Sequence, residues 1–229
     1  MFESIKVIAF DADDTLWVNE TYFRETEGLF GKLLSTYETP NQIQQALFKK
    51  EIENLEIYGY GIKGFVLSMI ECAIEVSQGK LEAKQVEEII EMGKVMLQKP
   101  VELIDGVESL LSKLKGRYRL LVITKGDLLD QERKLEKSGL YDYFDHVQVL
   151  SDKKPKDYEH LLRGLDIDPN EFLMIGNSLK SDVLPLLEIG AQAIHVPFHT
   201  TWEHEEATAR PEDCYITLNK IDDLIPLLH

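Results

Sequence analysis

The chain has 229 residues, 44% of them hydrophobic, which is enough to bury a core as one domain or as a main domain carrying a smaller insert, and argues against extended disorder. Its 25 Lys and Arg against 41 Asp and Glu give a formal net charge of −16. Such a surface repels nucleic acid, anionic membrane and, at long range, a phosphate ester, so any anion site must be built locally.

Cys72 and Cys214 stand in unrelated contexts with no ligand spacing, which argues against a disulfide framework or a Cys-based zinc site and suits a reducing cytoplasm. No stretch approaches eighteen consecutive apolar residues, and the run Ile5 to Phe10 is too short for a signal or a span.

That run is β-branched and stops at an acidic cluster, which predicts a buried strand delivering carboxylates at its C-terminal end. From about Tyr22 to Lys99 the apolar residues fall at helical spacing, including Leu33 and Leu34, Phe65 to Ile74, and Ile89 with Met96. After Pro100 a βα rhythm begins. Helices are expected near Val107 to Leu114, Leu128 to Lys137, Asp157 to Leu165 and Asp182 to Ile189. Strands are expected at Arg119 to Thr124, His146 to Leu150, Phe172 to Ile175 and Ala193 to Val196.

Short strands alternating with helices imply an α/β fold, a Rossmann-like parallel sheet with helices on both faces. The simplest division places residues 1–17 and 101–229 in an α/β core domain and residues 18–100 in a helical domain inserted after the first strand. Ligands of open α/β sheets bind at the carboxyl ends of the strands.

Polar residues of complementary kinds gather at four of those ends. They are Asp11-Ala12-Asp13-Asp14-Thr15, Thr124-Lys125-Gly126, Lys153-Lys154-Pro155-Lys156, and Gly176-Asn177-Ser178 followed by Asp182. Carboxylates two apart just past a strand can reach one ligand, and their mutual repulsion makes a divalent cation such as Mg²⁺ an expected occupant. A threonine followed by glycine and a helix offers a hydroxyl and backbone amides to an anion.

Each segment alone also has a plain structural account: an acidic turn or helix cap, an ordinary strand-to-helix turn, a solvated lysine loop, a tight βα connection. An EF-hand fits the first segment worse, because Leu16 and Tyr22 stand at the sixth and twelfth loop positions. All four together, in one chain, form a constellation.

In this order, the segments resemble the four signature motifs of the haloacid dehalogenase-like superfamily, most of whose members are Mg²⁺-dependent phosphatases. Val7 to Thr15 resembles the DxDxT first motif, Leu121 to Thr124 the second, Lys154-Pro155 the third and Gly176 to Asp182 the fourth. The helical block is similar to the family's C1 cap. The resemblance implies that Asp11 is the nucleophile and Asp13 the acid/base, that Thr124 and nearby amides hold phosphoryl oxygens, and that Lys154 offsets charge on Asp11 and the transferring group, while Lys125 is a candidate phosphate-binding cation at the entrance or, equally, a surface lysine. It further implies Mg²⁺ held by Asp11, the Asp13 backbone carbonyl, Asn177 and Asp182.

Three departures stand out. Asn177 replaces the family's usual metal-binding Asp, Lys125 replaces a frequent Asn, and Lys153 and Lys156 compete with Lys154 for the third motif, where the Lys-Pro pair favours Lys154. Asp13 itself disfavours dehalogenation, since the family's dehalogenases lack that residue.

The loop Gly59 to Phe65 resembles the cap's substrate-specificity loop, with Tyr60, Lys63 and Phe65 as candidate substrate contacts and Lys63 a candidate for a second anionic group. A helix-hairpin turn with Phe65 in the core is the equal alternative. His199 and His204 lack a third ligand at useful spacing and read as surface residues, and Glu203, Glu205 and Glu206 as a solvated face. His195 reads as a satisfied core histidine that could border the site.

The expected activity is therefore a Mg²⁺-dependent phosphohydrolase acting on a small phosphorylated metabolite, a nucleoside monophosphate or sugar phosphate. The expectation carries no nucleic-acid or membrane partner, a cytoplasmic location and a monomer by default. The alternatives are a phosphomutase of the same family and a catalytically weakened phosphate-binding regulator, with a receiver-like signalling domain disfavoured by the first-strand DxDxT and the long insert.

Overall fold

The computed structural model describes residues 2–210 and 213–228. Two compact units emerge: one comprises Met1–Glu20, Val101–Lys125 and Gln131–His229, the other Thr21–Pro100 and Gly126–Asp130. Against the division expected at residues 18 and 100, the helical segment is thus joined by a short piece from much later in the chain.

The first unit contains a six-stranded parallel sheet in the order β3-β2-β1-β4-β5-β6. The strands are β1 (Val7–Phe10), β2 (Arg119–Lys125), β3 (His146–Leu150), β4 (Phe172–Gly176), β5 (Gln192–His195) and β6 (Ile216–Thr217). β1 lies at the centre, with Phe10 opposite Val122 of β2 and Ile175 of β4. Chain order runs outward from β1 to one edge and then returns to β4 on its other side. This reversal is the switch point at which such sheets open a crevice.

Period-two alternation sorts the strand side chains onto two faces. Ile8, Phe10, Leu120, Val122, Leu173 and Ile175 point into a cluster completed by α5 (Val107–Leu114) and the C-terminal turn Ile221–Leu228. Val7, Ala9, Leu121, Ile123, Phe172 and Met174 point the other way, onto Tyr158, Leu161 and Leu162 of α7 (Pro155–Gly164) and Leu186 of α8 (Leu184–Glu188). Both faces are covered, which is why these strands read as continuous apolar runs. α6 (Leu128–Ser138) follows β2 and contributes Leu135 to the first cluster. β6 is two residues long and carries no alternation by which it could have been expected.

The second unit holds α2 (Pro40–Tyr58), α3 (Ile62–Val76), α4 (Ala83–Gln98) and nearly all of α1 (Glu20–Leu33), around Phe30, Leu34, Leu47, Phe65, Met69 and Ile89. α2 opens with Pro40 at its first turn, where a missing N–H costs nothing. Glycines at 59 and 61, both at positive φ, break the chain between α2 and α3.

Candidate active site

The three aspartates after β1 have three different environments. Asp11 follows the strand directly, its N–H bonded to the Ile175 carbonyl at 2.9 Å, and its side chain is buried. Asp14 adopts φ +61, a left-handed conformation that Asp tolerates better than most residues, and its carboxylate accepts from the Asn19 and Glu20 N–H groups at 2.8 and 3.0 Å. It therefore turns the chain and caps the start of α1, which is the acidic-turn alternative realised at this one residue. Burial pushes its carboxyl up to about 7 against those two hydrogen bonds. Asp13, partly buried, accepts from Trp17, Gln131 and Lys134.

The lysine on Asp11 is Lys153, and this corrects the expectation for Lys154. Lys153 Nζ donates to Asp11 Oδ1 at 2.5 Å and to Asp182 Oδ1 at 2.7 Å, with the Lys153 and Asp182 side chains each 1% exposed. Lys154 is 62% exposed and pairs with Asp152 at 2.8 Å. The physical reason lies in the next residue. Pro155 starts α7, so Lys154 becomes its N-cap residue, its N–H held by Asp157 Oδ2 at 3.0 Å, while its side chain points to solvent. The Lys-Pro pair is a helix-start signal, and the lysine one position earlier is turned inward.

One ammonium thus serves two buried carboxylates, and with both of these ionised one negative charge is in excess. Burial pushes the Asp11 carboxyl up, Lys153 pulls it down, and the Asp182 and Asp13 charges push it up again. Lys153 is shifted the same way: burial alone would lower it, but Asp11 and Asp182 outweigh that and hold it as an ammonium ion. Asp182 reaches this position only because residue 176 is glycine; a Cβ there would lie 2.3 Å from Asp182 Oδ2. Its second oxygen accepts the Ser178 N–H at 3.0 Å, so each oxygen of Asp182, expected to hold the metal directly or through water, has a partner within the protein. The Asp sits in a π-helical turn, Leu179–Val183, of the kind often found at functional sites.

Oxygens converge opposite Lys153. The inward end of the Asn177 amide lies 3.2 Å from each of Asp11 Oδ2, the Asp13 carbonyl oxygen and Thr15 Oγ1, and with its NH₂ turned inward its two hydrogens are shared among these three acceptors. Turned the other way, Asn177 adds a fourth oxygen to an oxygen-only set beside a site of excess negative charge. Those donors fit a hard divalent cation such as Mg²⁺. Among the described residues, no group of three His, Cys, Asp or Glu side chains is placed to hold a metal; the oxygens here come from an amide, a backbone carbonyl, a hydroxyl and a single carboxylate.

Thr124 is buried at the end of β2, its Oγ1 3.3 Å from the Lys125 carbonyl oxygen. Lys125 departs from the expected phosphate contact. Its Nζ donates to Glu205 Oε1 at 2.6 Å and Ser181 Oγ at 2.9 Å, so its charge is matched inside the protein. Glu205 Oε2 also accepts from Ser178 Oγ at 2.7 Å and Ser181 Oγ at 2.5 Å. Burial would raise the Glu205 carboxyl, but the Lys125 charge and these hydrogen bonds outweigh it and hold it at about 2. The acids near residue 205, expected as a solvated face, thus include one that ties the Ser178–Ser181 turn to β2. His195 Nε2 lies 3.0 Å from the Asn177 carbonyl, which can only accept, so this nitrogen is the donor and the ring backs the same turn; burial lowers its pKa.

Of the three substrate-contact candidates in the second unit, Phe65 is corrected. It is 4% exposed in the helical core with its ring 5.0 Å from Phe23, so the helical period of α3 assigns it to packing. Tyr60 is half-buried, and Lys63 is exposed and pairs with Asp127 at 2.9 Å.

The chain is thus a doubly wound parallel α/β protein with a buried, lysine-paired carboxylate at the end of its central strand. Residues 5–190 match the model of the haloacid dehalogenase-like hydrolases, and the chain belongs to that family. A haloacid dehalogenase-like family hydrolase from Xanthomonas campestris is 42% identical, with a TM-score of 0.81 over 92% of this chain and 88% of its own. The N-acylneuraminate-9-phosphatase of Mus musculus is 26% identical over 202 residues, covering 82% of this chain and 81% of the relative. The glyceraldehyde 3-phosphate phosphatase of Methanothermobacter thermautotrophicus is 35% identical over 121 residues, 50% of this chain and 51% of its own. The protein is a hydrolase of this family, and no helix among the described residues is long and apolar enough to cross a membrane.

Proposed function

We propose that this hydrolase is a Mg²⁺-dependent phosphatase that cleaves a small phosphate monoester through a phospho-aspartate on Asp11. The observation that carries the reading is the environment of Asp11: a buried carboxylate on the central strand, one oxygen on Lys153 and the other facing the Asn177, Asp13 and Thr15 oxygens.

In the first half-reaction, Asp11 attacks phosphorus, the P–O bond to the leaving group breaks, and Asp13 gives its proton to the departing oxygen. In the second, Asp13 takes a proton from water as the water oxygen attacks phosphorus. The bond to Asp11 breaks, and inorganic phosphate and a free carboxylate result. Thr124 and the backbone amides after it serve the phosphoryl oxygens, and Lys153 supplies preorganised positive charge. Mg²⁺, when bound by Asp11, the Asp13 carbonyl and Asn177, supplies charge stabilisation to the transferring group. A neutral amide in place of a carboxylate weakens that binding, and Asn177→Asp is expected to lower the Mg²⁺ dissociation constant by about tenfold or more in a direct titration.

A phosphorylated sugar or sugar acid is the proposed substrate class, in keeping with the names of the two curated relatives. Tyr60 and Lys63 are the proposed specificity residues, and free thiols at Cys72 and Cys214 suit a reducing compartment such as the cytoplasm. The test is phosphate release from a panel of sugar, sugar-acid and nucleotide monophosphates with and without Mg²⁺, with Asp11→Asn beside the wild type. Mg²⁺-dependent release lost by at least about 1,000-fold in Asp11→Asn is expected. Turnover that Asp11→Asn retains would refute the nucleophile, and isomerised product without phosphate release would make the chain a phosphomutase.

A further inference from the structure

Three side chains donate to Asp13. Trp17 Nε1 and Lys134 Nζ both donate to Oδ1 at 2.7 Å, and Gln131 Nε2 donates to Oδ2 at 2.8 Å. Gln131 and Lys134 lie three residues apart on α6, so they share one helix face, and that face is turned to the end of β1. Lys134 also donates to Asn19 Oδ1 at 3.2 Å, and Gln131 uses its second hydrogen on the Lys125 carbonyl at 2.9 Å.

Two details set this grip apart from ordinary packing. The Gln131 side chain has its carbonyl oxygen buried without a hydrogen-bond partner. Reversing the amide would not help, because the opposite end would then face two acceptors, so the NH₂ is kept on Asp13 while a buried acceptor stays unsatisfied. Lys134, with a side chain only 17% exposed, places a full positive charge on a carboxylate next to a cluster that already holds excess negative charge. A side chain fixed at both oxygens loses its freedom about χ1 and χ2, and a proton donor out of position by about 1 Å can cost 100-fold in rate.

We propose that Gln131 and Lys134, with Trp17, are positioning residues for Asp13, holding its carboxylate in the orientation from which it serves the leaving group and then the attacking water. The proposal rests on reading Asp13 as the acid/base and deepens it by naming the residues through which the fold aims it.

The test compares Gln131→Leu, Lys134→Met, Lys134→Arg and Asp13→Asn with the wild type, as full chains with Mg²⁺. One ester is p-nitrophenyl phosphate, whose phenolate departs with little need of a proton; the other is the sugar phosphate best turned over in the panel above. Misaimed Asp13 cannot activate water, so Gln131→Leu and Lys134→Met are expected to release one p-nitrophenolate per enzyme in a burst and then turn over about 10- to 100-fold more slowly than wild type. On the sugar phosphate they lose kcat by a similar factor without a burst, with KM within about threefold, and Lys134→Arg recovers most of the loss. A merely structural lesion gives no burst. Folded variants that keep wild-type kcat on both esters, gain rate, or lose rate equally on both with no burst would overturn the assignment while leaving Asp13→Asn as the check on the acid/base itself. A wild type inactive on every ester would instead overturn the phosphatase reading, and this assignment with it.

Discussion

The strand ends of the sheet unit and the Gly59–Phe65 turn of the helical unit look alike as sequence, each mixing glycine, a lysine and a residue with chemistry to offer, yet they use these residues in opposite ways. At the strand ends the charges are buried and multiply bonded: Lys153 on two carboxylates, Glu205 on one lysine and two serines. In the turn the aromatic Phe65 is spent on the core and Lys63 on a half-exposed ion pair. Buried charge costs several kcal/mol per ion unless it is answered by partners, so a protein that keeps it there keeps it for a purpose beyond stability. An exposed pair costs and contributes little.

The largest expected effect sets two neighbours against each other. Lys153→Met leaves Asp11 and Asp182 buried with no counter-charge, and is expected to cost 100-fold or more in kcat and about 3–5 kcal/mol in denaturant unfolding. Lys154→Met is expected to stay within twofold in kcat and about 0.5 kcal/mol in stability. Equal losses in the two variants would mean that Lys153 and Lys154 do not differ in role.

Next is Phe65→Ala, which empties a core position and is expected to destabilise the protein by about 3–5 kcal/mol. A substrate contact would instead show as raised KM with unchanged unfolding.

Glu205 sharpens the comparison through pH. Its carboxyl is held at about 2 in the folded protein against 4.5 when free, so the folded state binds fewer protons between those values. The stability it contributes is therefore complete above about pH 4.5 and drains away as pH falls towards 2, by up to about 3 kcal/mol. Glu205→Gln is expected to be less stable at pH 7 and to lose less between pH 4.5 and 2, which unfolding curves across that window would register. Parallel curves for the two proteins would put Glu205 back among the solvated acids.

The smallest effect belongs to Lys63→Ala. Its pair with Asp127 is worth under about 1 kcal/mol, so the melting temperature should barely move, while a specificity role predicts a rise in KM confined to substrates with a second anionic group. A uniform KM across the panel would remove Lys63 from the specificity set.

Local signals made the sheet and the helices legible, because strand alternation and helical spacing are repeated many times over in each element. β6, with two residues, offers no period to read. Asp11, Thr124 and the Gly176–Asp182 turn could be picked out since each motif is contiguous and ends a strand. The sequence favours Lys154 over Lys153 because the proline that marks a helix start also resembles a family motif, and sequence order does not tell which of two adjacent lysines points inward. Glu205 and Lys125 are 80 positions apart, and three glutamates near 205 look identical until one is buried. The Gln131–Lys134 pair left a weak trace, two polar residues three apart on a helix just after a strand end, which is also the pattern of any solvated helix face.

Gly176 carries no functional group, lies outside every contact proposed for substrate, and differs from alanine by one methyl. By the usual ranking of exchanges by size and polarity, Gly176→Ala is among the mildest changes available to this gene. The fold inverts that ranking. The methyl would occupy the space of the Asp182 carboxylate, which holds Lys153, which holds Asp11. A surveyor of natural variants who scored this position by side-chain chemistry would pass over a lesion that reaches the nucleophile in three steps.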